Sequence, residues 1–114
     1  MKNELLYVLE DFFGENVTLK PIVRRYRTNH RLAIELVDAD EDETFTYLTV
    51  NINFELSNDK DDTLAFVDTN NNHWAESFIE KYHLGEKTGN YGMSGYCVYP
   101  EYRFDLAKLN EEES

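Results

Sequence analysis

Cys97, His73, His83 and Asp68 are the residue types from which a nucleophile, a general base and an orienting acid are assembled. Their spacing follows no diagnostic pattern. Cys97 lies between Tyr96 and Val98 in an aromatic, strand-like run, the setting of an inert buried thiol rather than an activated one. No catalytic residue is expected. The segment Gly85-Glu-Lys-Thr-Gly-Asn-Tyr-Gly-Met-Ser-Gly95 invites a second chemistry, because glycines let backbone amides approach a phosphate closely. A phosphate loop, however, needs its Lys and Ser/Thr directly after the last glycine at a helix start, whereas Lys87 and Thr88 precede the run and a strand-like stretch follows. Asp38 to Asp42 and Asp59 to Asp62 offer carboxylates to calcium but lack the glycine at position six and the glutamate at position twelve of an EF-hand loop. The single cysteine leaves no thiolate set for zinc and no internal disulfide. Neither a metal nor a cofactor is expected.

Binding chemistry is better represented. The 23 Asp and Glu against 11 Lys and Arg leave a formal net charge of −12 in 114 residues. A field of that sign repels nucleic-acid phosphates and acidic membrane surfaces, and it draws in basic partners at rates that fall with salt. It also keeps an ordinary protein soluble. The charge is unevenly placed. Lys20, Arg24, Arg25, Arg27 and Arg31 supply five of the eleven basic residues, while Glu35 to Asp62 carries ten acids against Lys60 alone. Either the two groups pair across a sheet, or an acidic face imitates a phosphate backbone and occupies a nucleic-acid-binding cleft. The residues that would make such a face are Asp38, Asp40, Glu41, Asp42, Glu43, Asp59, Asp61 and Asp62. A second constellation joins Asp68, Asn70 and Asn71, at a strand-to-helix junction, with Tyr91, Ser94, Tyr96 and Tyr99, whose phenols combine apolar area with a hydroxyl. It would hold a small ligand or nucleotide.

The elements that must position these residues can be read from periodicity. Leu5, Leu6, Leu9, Phe12 and Phe13 share one helical face ahead of Gly14, which predicts a first helix over Asn3 to Phe13. Val17 and Leu19, then Val23 to Arg27 beyond Pro21, read as strand, and Thr28-Asn29-His30 turns the chain into a strand over Arg31 to Asp38. Asp38 to Glu43 is a solvated loop. Alternation from Tyr47 to Leu56 predicts a third, central strand, and Leu64 to Val67 a fourth. Asp68 to Asn72 opens a second helix spanning Asn72 to His83 with Gly85 behind it. Gly85 to Gly95 reads as a loop, followed by strand through Tyr96 to Tyr99 and on to Leu106, and the tail Asn110 to Ser114 as frayed. The expected fold is α+β: one domain over residues 1–114, an antiparallel sheet of about four to six strands, an N-terminal helix and a helix inserted before the last strands. No apolar run is long enough to span a membrane, and Glu4, Glu10 and Asp11 interrupt any leader-like N-terminus, so a cytoplasmic protein is expected.

Ala65-Phe-Val-Asp-Thr-Asn-Asn71 and Gly92-Met-Ser-Gly-Tyr-Cys-Val-Tyr-Pro-Glu-Tyr-Arg-Phe-Asp-Leu106, with Leu84-Gly85, Thr88-Gly89, Arg31 to Asp38 and Leu48 to Asn51, resemble an uncharacterised bacterial family, domain of unknown function 4313. The resembling segments lie between about Val23 and Leu106, and the acidic loops are not among them. The resemblance implies a protein of bacteria and their mobile elements and implies no reaction, cofactor or catalytic residue. The expectation is a non-enzymatic protein-binding module that inhibits a basic, nucleic-acid-binding host defence protein through an acidic, DNA-mimicking face, without binding nucleic acid or membrane itself. The alternative is a small-ligand or nucleotide-binding protein or enzyme built on the Asp68/Asn70 junction and the Gly89 to Tyr99 segment. Oligomeric state is left open.

Overall fold

A computed structural model of the protein describes residues 4–111. Its first sheet is an antiparallel meander in the order β1 (Tyr7–Phe12), β2 (Glu15–Arg25), β3 (Leu32–Asp38) and β4 (Glu43–Tyr47). The second, also antiparallel, runs β5 (Thr49–Val50), β6 (Leu64–Val67), β8 (Cys97–Phe104) and β7 (Gly85–Ser94). The sheets meet at Leu48, between β4 and β5. Its amide donates to Ile34 O and its carbonyl accepts from Asp68 N, both at 2.9 Å, so the backbone stays paired as the chain changes sheet.

The mostly antiparallel α+β character holds, but with eight strands in two sheets and one α-helix, α1 (Ala75–Lys81), among the described residues. Its buried Ala75, Phe78 and Ile79 join Leu19, Leu32, Ile34, Leu36 and Tyr102 in the main core. A chain of aromatic contacts leads from Phe12 through Phe45, Trp74, Phe78 and Tyr82 to Tyr7, with ring centroids 4.9–6.3 Å apart. The helix thus bridges the two edge strands of the first sheet.

Of the segment expected to form an N-terminal helix, Tyr7–Phe12 is strand β1, and Asn3 lies outside the described residues. Tyr7 pairs with Leu19 and Leu9 with Val17, while the Tyr82 hydroxyl donates to Val8 O and accepts from Val8 N, which closes the outer edge. Tyr, Val and Phe favour an extended chain once a partner strand exists, and so short a helix has little stability of its own. Asp11 and Phe13, at φ 55° and 50°, then break the run. The predicted third strand also gives way. Only Glu43–Tyr47 and Thr49–Val50 are extended in the ladder, and the chain beyond peels off to lay Ile52, Phe54 and Leu56 over Phe66 and Tyr99 as a second, smaller core. Alternation is satisfied there by packing on a sheet face rather than by pairing within the sheet.

The glycine-bearing segment is β7, not a loop. Its ladder with β8 runs from Gly85 opposite Phe104 to Ser94 opposite Cys97. A Cβ on Gly92 would stand 2.7 Å from Ile52 Cδ1 and 2.8 Å from the Phe66 ring, so glycine there admits the covering segment, and Gly95, at φ 61°, makes the hairpin turn. The second helix is shorter than expected at both ends, because Asn72 and His73 belong to the preceding turn and His83 adopts φ 54°. The predicted frayed tail lies partly outside the described residues. Asn110 itself is tied down: its amide donates to Pro21 O, its carbonyl accepts from Val23 N, and its side chain bonds Leu5 N and Leu5 O.

Candidate functional site

In a four-strand meander the first and third turns fall at the same end of the sheet. Here both are acidic. Glu10, Asp11 and Glu15 flank the Phe13-Gly14 turn, and Asp38, Asp40, Glu41, Asp42 and Glu43 form the other, which the Ala39 amide ties to Thr18 O at 2.9 Å. Asp38 serves as the scaffold of its own turn. Its Oδ1 accepts from the amides of Asp40 (2.9 Å) and Glu41 (3.2 Å), and its carbonyl accepts from Asp42 N (2.8 Å), leaving the other four side chains exposed. Among the described residues the ion pairs at this end reduce to Lys81 with Glu10. Phe13, in the first of these turns, is 91% exposed and meets Phe12 edge-on with ring centroids 4.8 Å apart. Sequence reasoning assigned Phe13 to a helix face; the available signal was the Phe13-Gly14 pair behind Asp11, which also reads as a hairpin turn.

The other acidic loop is elsewhere. Asp61 accepts from the Thr63 hydroxyl (2.5 Å), Thr63 N (3.0 Å) and Arg103 Nε (3.2 Å), and these bonds, the hydroxyl foremost, hold its carboxyl below the usual aspartate range. Asp62 pairs with Arg25 at 3.9 Å, and Asp59 is exposed. Arg25, beside Asp62, ends β2, and Asp38 pairs with Leu19 six residues earlier, so about 20 Å of strand separates the two acidic loops. The eight candidate acids therefore divide into five at the turn end, four of them exposed, and three at the far end, two of them paired with arginine.

The proposed ligand set divides as well. Asp68 Oδ1 accepts from Asn71 N (3.1 Å) and its Oδ2 from Asn71 Nδ2 (2.9 Å), which fixes the turn ahead of α1, while Asn70 is exposed. Just past β6, the Asp68 charge reaches Tyr99, whose phenol is pushed up by burial first, then by Cys97 and by Asp68. Tyr99 itself is covered by the second core. Tyr91, Ser94 and Tyr96 lie exposed along the β7–β8 hairpin. An open cleft lined by Arg31, Asn53, Phe54 and Glu55 includes none of these residues.

The groups able to do acid–base or nucleophilic work are engaged or dispersed. Glu101, wholly buried, accepts from Ser57 N (2.8 Å), Ser57 Oγ (2.5 Å), Thr88 Oγ1 (2.6 Å) and Asn90 Nδ2 (3.1 Å). Burial opposes its ionisation, but these donors outweigh burial and leave the carboxyl below the usual range. Glu35 is held likewise: burial is overcome by Thr44 and Arg24, the latter at 2.6 Å. Glu76 accepts from Tyr102 (2.8 Å) and pairs with Lys87 (2.9 Å), and burial together with Glu76 drives the Tyr102 phenol far up. His73 and His83 flank α1 at opposite ends and, among the described residues, neither side chain hydrogen-bonds Cys97. Among the same residues no group of three His, Cys, Asp or Glu side chains is arranged to hold a metal, and no helix is long and apolar enough to cross a membrane.

No curated protein and no solved structure matches the chain. A family model does, over residues 18–113, further at both ends than the segments that suggested it and across both acidic loops. The match begins within β2, at Thr18, runs through β8 and leaves the Phe13 turn before it. On that match the chain belongs to the family described as Domain of unknown function (DUF4313).

Proposed function

We propose that the protein is a non-catalytic binding module that takes hold of a basic protein surface with the turn end of its first sheet. The observation that carries this reading is the grouping of two acidic turns, eight carboxylates in all, at the end of the sheet that also exposes Phe13. Carboxylates steer a basic partner and set its orientation, and an exposed aromatic supplies the desolvated contact that charge alone lacks. Asp59, Asp61 and Asp62 take no part in this contact, since they sit at the other end of β2 and Arg103 and Arg25 already engage two of them. The partner class that fits is a nucleic-acid-binding protein, whose basic cleft is shaped for phosphates; imitation of those phosphates falls to the turn-end carboxylates. Carriage on a phage or mobile element, with a host defence protein as target, is the specific form of this proposal.

Affinity capture from bacterial lysate at low and moderate salt tests it, with a parallel variant in which Asp40, Glu41, Asp42 and Glu43 are replaced by their amides. A basic protein captured at low salt, released by moderate salt and lost in the variant is the expected result. Capture of no basic protein, or equal capture by the variant, overturns the proposal.

A further inference from the structure

The β7–β8 hairpin carries a surface of opposite character. Residues 89–100, Gly-Asn-Tyr-Gly-Met-Ser-Gly-Tyr-Cys-Val-Tyr-Pro, contain no charged side chain in a protein of which 30% is charged. Four of them are large and exposed: Tyr91 (48%), Met93 (56%), Tyr96 (107%) and Val98 (53%). They are contiguous. Met93 pairs directly with Val98 across the ladder, Tyr91 lies two residues from Met93 on the same face, and Tyr96 stands at the turn. Contiguous apolar area of this kind marks a docking surface.

The same segment is a sheet edge. β7 ends the order of the second sheet, its ladder is regular from Tyr91 to Ser94 on the β8 side, and among the described residues no backbone hydrogen bond reaches its outer side. Natural edges are blocked by charge or proline. Between Gly89 and Gly95 this one has neither.

We propose that the hairpin is the contact between two copies of this chain, formed by antiparallel pairing of β7 with β7 about a two-fold axis at Gly92. That register sets Tyr91 of each copy opposite Met93 of the other and Gly89 opposite Gly95, so no charge meets a charge. The charge distribution selects this occupant. Two chains of −12 repel wherever their carboxylates approach, and the hairpin is where they can meet without doing so; a basic partner finds no carboxylate here to pair with. The association must therefore tighten as salt screens the two bodies, the reverse of the dependence proposed for the acidic end.

Sedimentation equilibrium of the full chain, from micromolar to millimolar concentration at low and high salt, tests the contact on the wild type, Met93→Glu and Tyr96→Ser. The expected result is a mass that rises toward two chains, tightens several-fold with salt, stays at one chain in Met93→Glu with unchanged circular dichroism, and rises later in Tyr96→Ser. A single-chain mass throughout, association that weakens with salt, or variants that associate like the wild type overturns it. Should Met93→Glu fail to fold, Tyr96→Ser decides alone, since its side chain is fully exposed at the turn.

Discussion

Glu101→Gln keeps the shape of a wholly buried side chain and removes its charge. The Oε2 side faces two obligate donors, the Ser57 amide and Asn90 Nδ2, whereas the Oε1 side faces the Ser57 and Thr88 hydroxyls, which can rotate. Glutamine therefore turns its oxygen to the first pair and its amide to the second, and the bonds survive in neutral form. A hydrogen bond to a charged group contributes about 1.5–3 kcal/mol against about 1 for a neutral one, and the easier burial of an amide offsets part of the difference, leaving a loss of about 2 kcal/mol. Glu101→Ala strands buried donors and opens a cavity, for roughly 4 kcal/mol. The loss in the glutamine variant must also depend on pH. Burial raises the carboxyl, the four donors lower it further, and the net position lies below the ordinary value of 4.5. A carboxyl depressed by folding contributes stability that is fully present above its unfolded value and lost as pH falls through the folded one. The gap between wild type and Glu101→Gln should thus be constant near neutral pH and shrink below about pH 4.5, where a protonated acid resembles an amide. Urea unfolding in steps from pH 7 to the lowest pH at which the fold persists measures it. A gap independent of pH, or one under about 0.5 kcal/mol at pH 7, refutes the view that an ionised Glu101 pins Ser57 to the second sheet.

Gly92→Ala places a methyl group 2.7 Å from Ile52 Cδ1 and 2.8 Å from the Phe66 ring, and forcing the covering segment outward should cost about 1–3 kcal/mol in thermal unfolding. An unchanged midpoint would mean that Ile52 moves freely. Tyr82→Phe deletes both bonds to the backbone of Val8, so stability should fall by about 1–2 kcal/mol and hydrogen exchange at Val8 should accelerate. Phe13→Ala, at a side chain 91% exposed, should change stability by less than about 0.5 kcal/mol while lowering capture of a basic partner.

Wherever a segment had a single way to bury its apolar side chains, its role could be read from the chain. Leu32, Ile34 and Leu36 alternate because the pleat of β3 sends every second side chain into the main core, and Trp74, Phe78 and Tyr82 recur at helical spacing because α1 lies on the first sheet. The N-terminus and the glycine segment offered two ways. Leu5 to Phe13 satisfies a helical face, and only the existence of β2 as a partner makes it a strand. Gly85 to Gly95 has the composition of a mobile loop, and only the crowding of Gly92 by Ile52 and Phe66 explains a glycine inside a strand. The acidic residues were legible as a group but not as a place: strand order puts Asp38 to Glu43 beside Glu10, Asp11 and Glu15, and Arg25 and Arg103 draw Asp61 and Asp62 to the other end. Glu101 gave no signal at all, since its donors come from Ser57, 44 residues before it, and from Thr88 and Asn90 on the neighbouring strand, joined only by the fold.

Two variants of equal charge change separate a local acidic site from a general effect of net charge. Asp40→Asn, Asp42→Asn and Glu43→Gln together neutralise the turn end of the first sheet, and Glu55→Gln, Asp59→Asn and Asp62→Asn together neutralise exposed acids outside it. Binding of each to the basic protein captured by the wild type, measured at low and moderate salt, is the most direct test of the proposed function. Loss of binding in the first variant with retention in the second is the predicted result; equal loss in both, or retention in both, contradicts a binding site at the turn end.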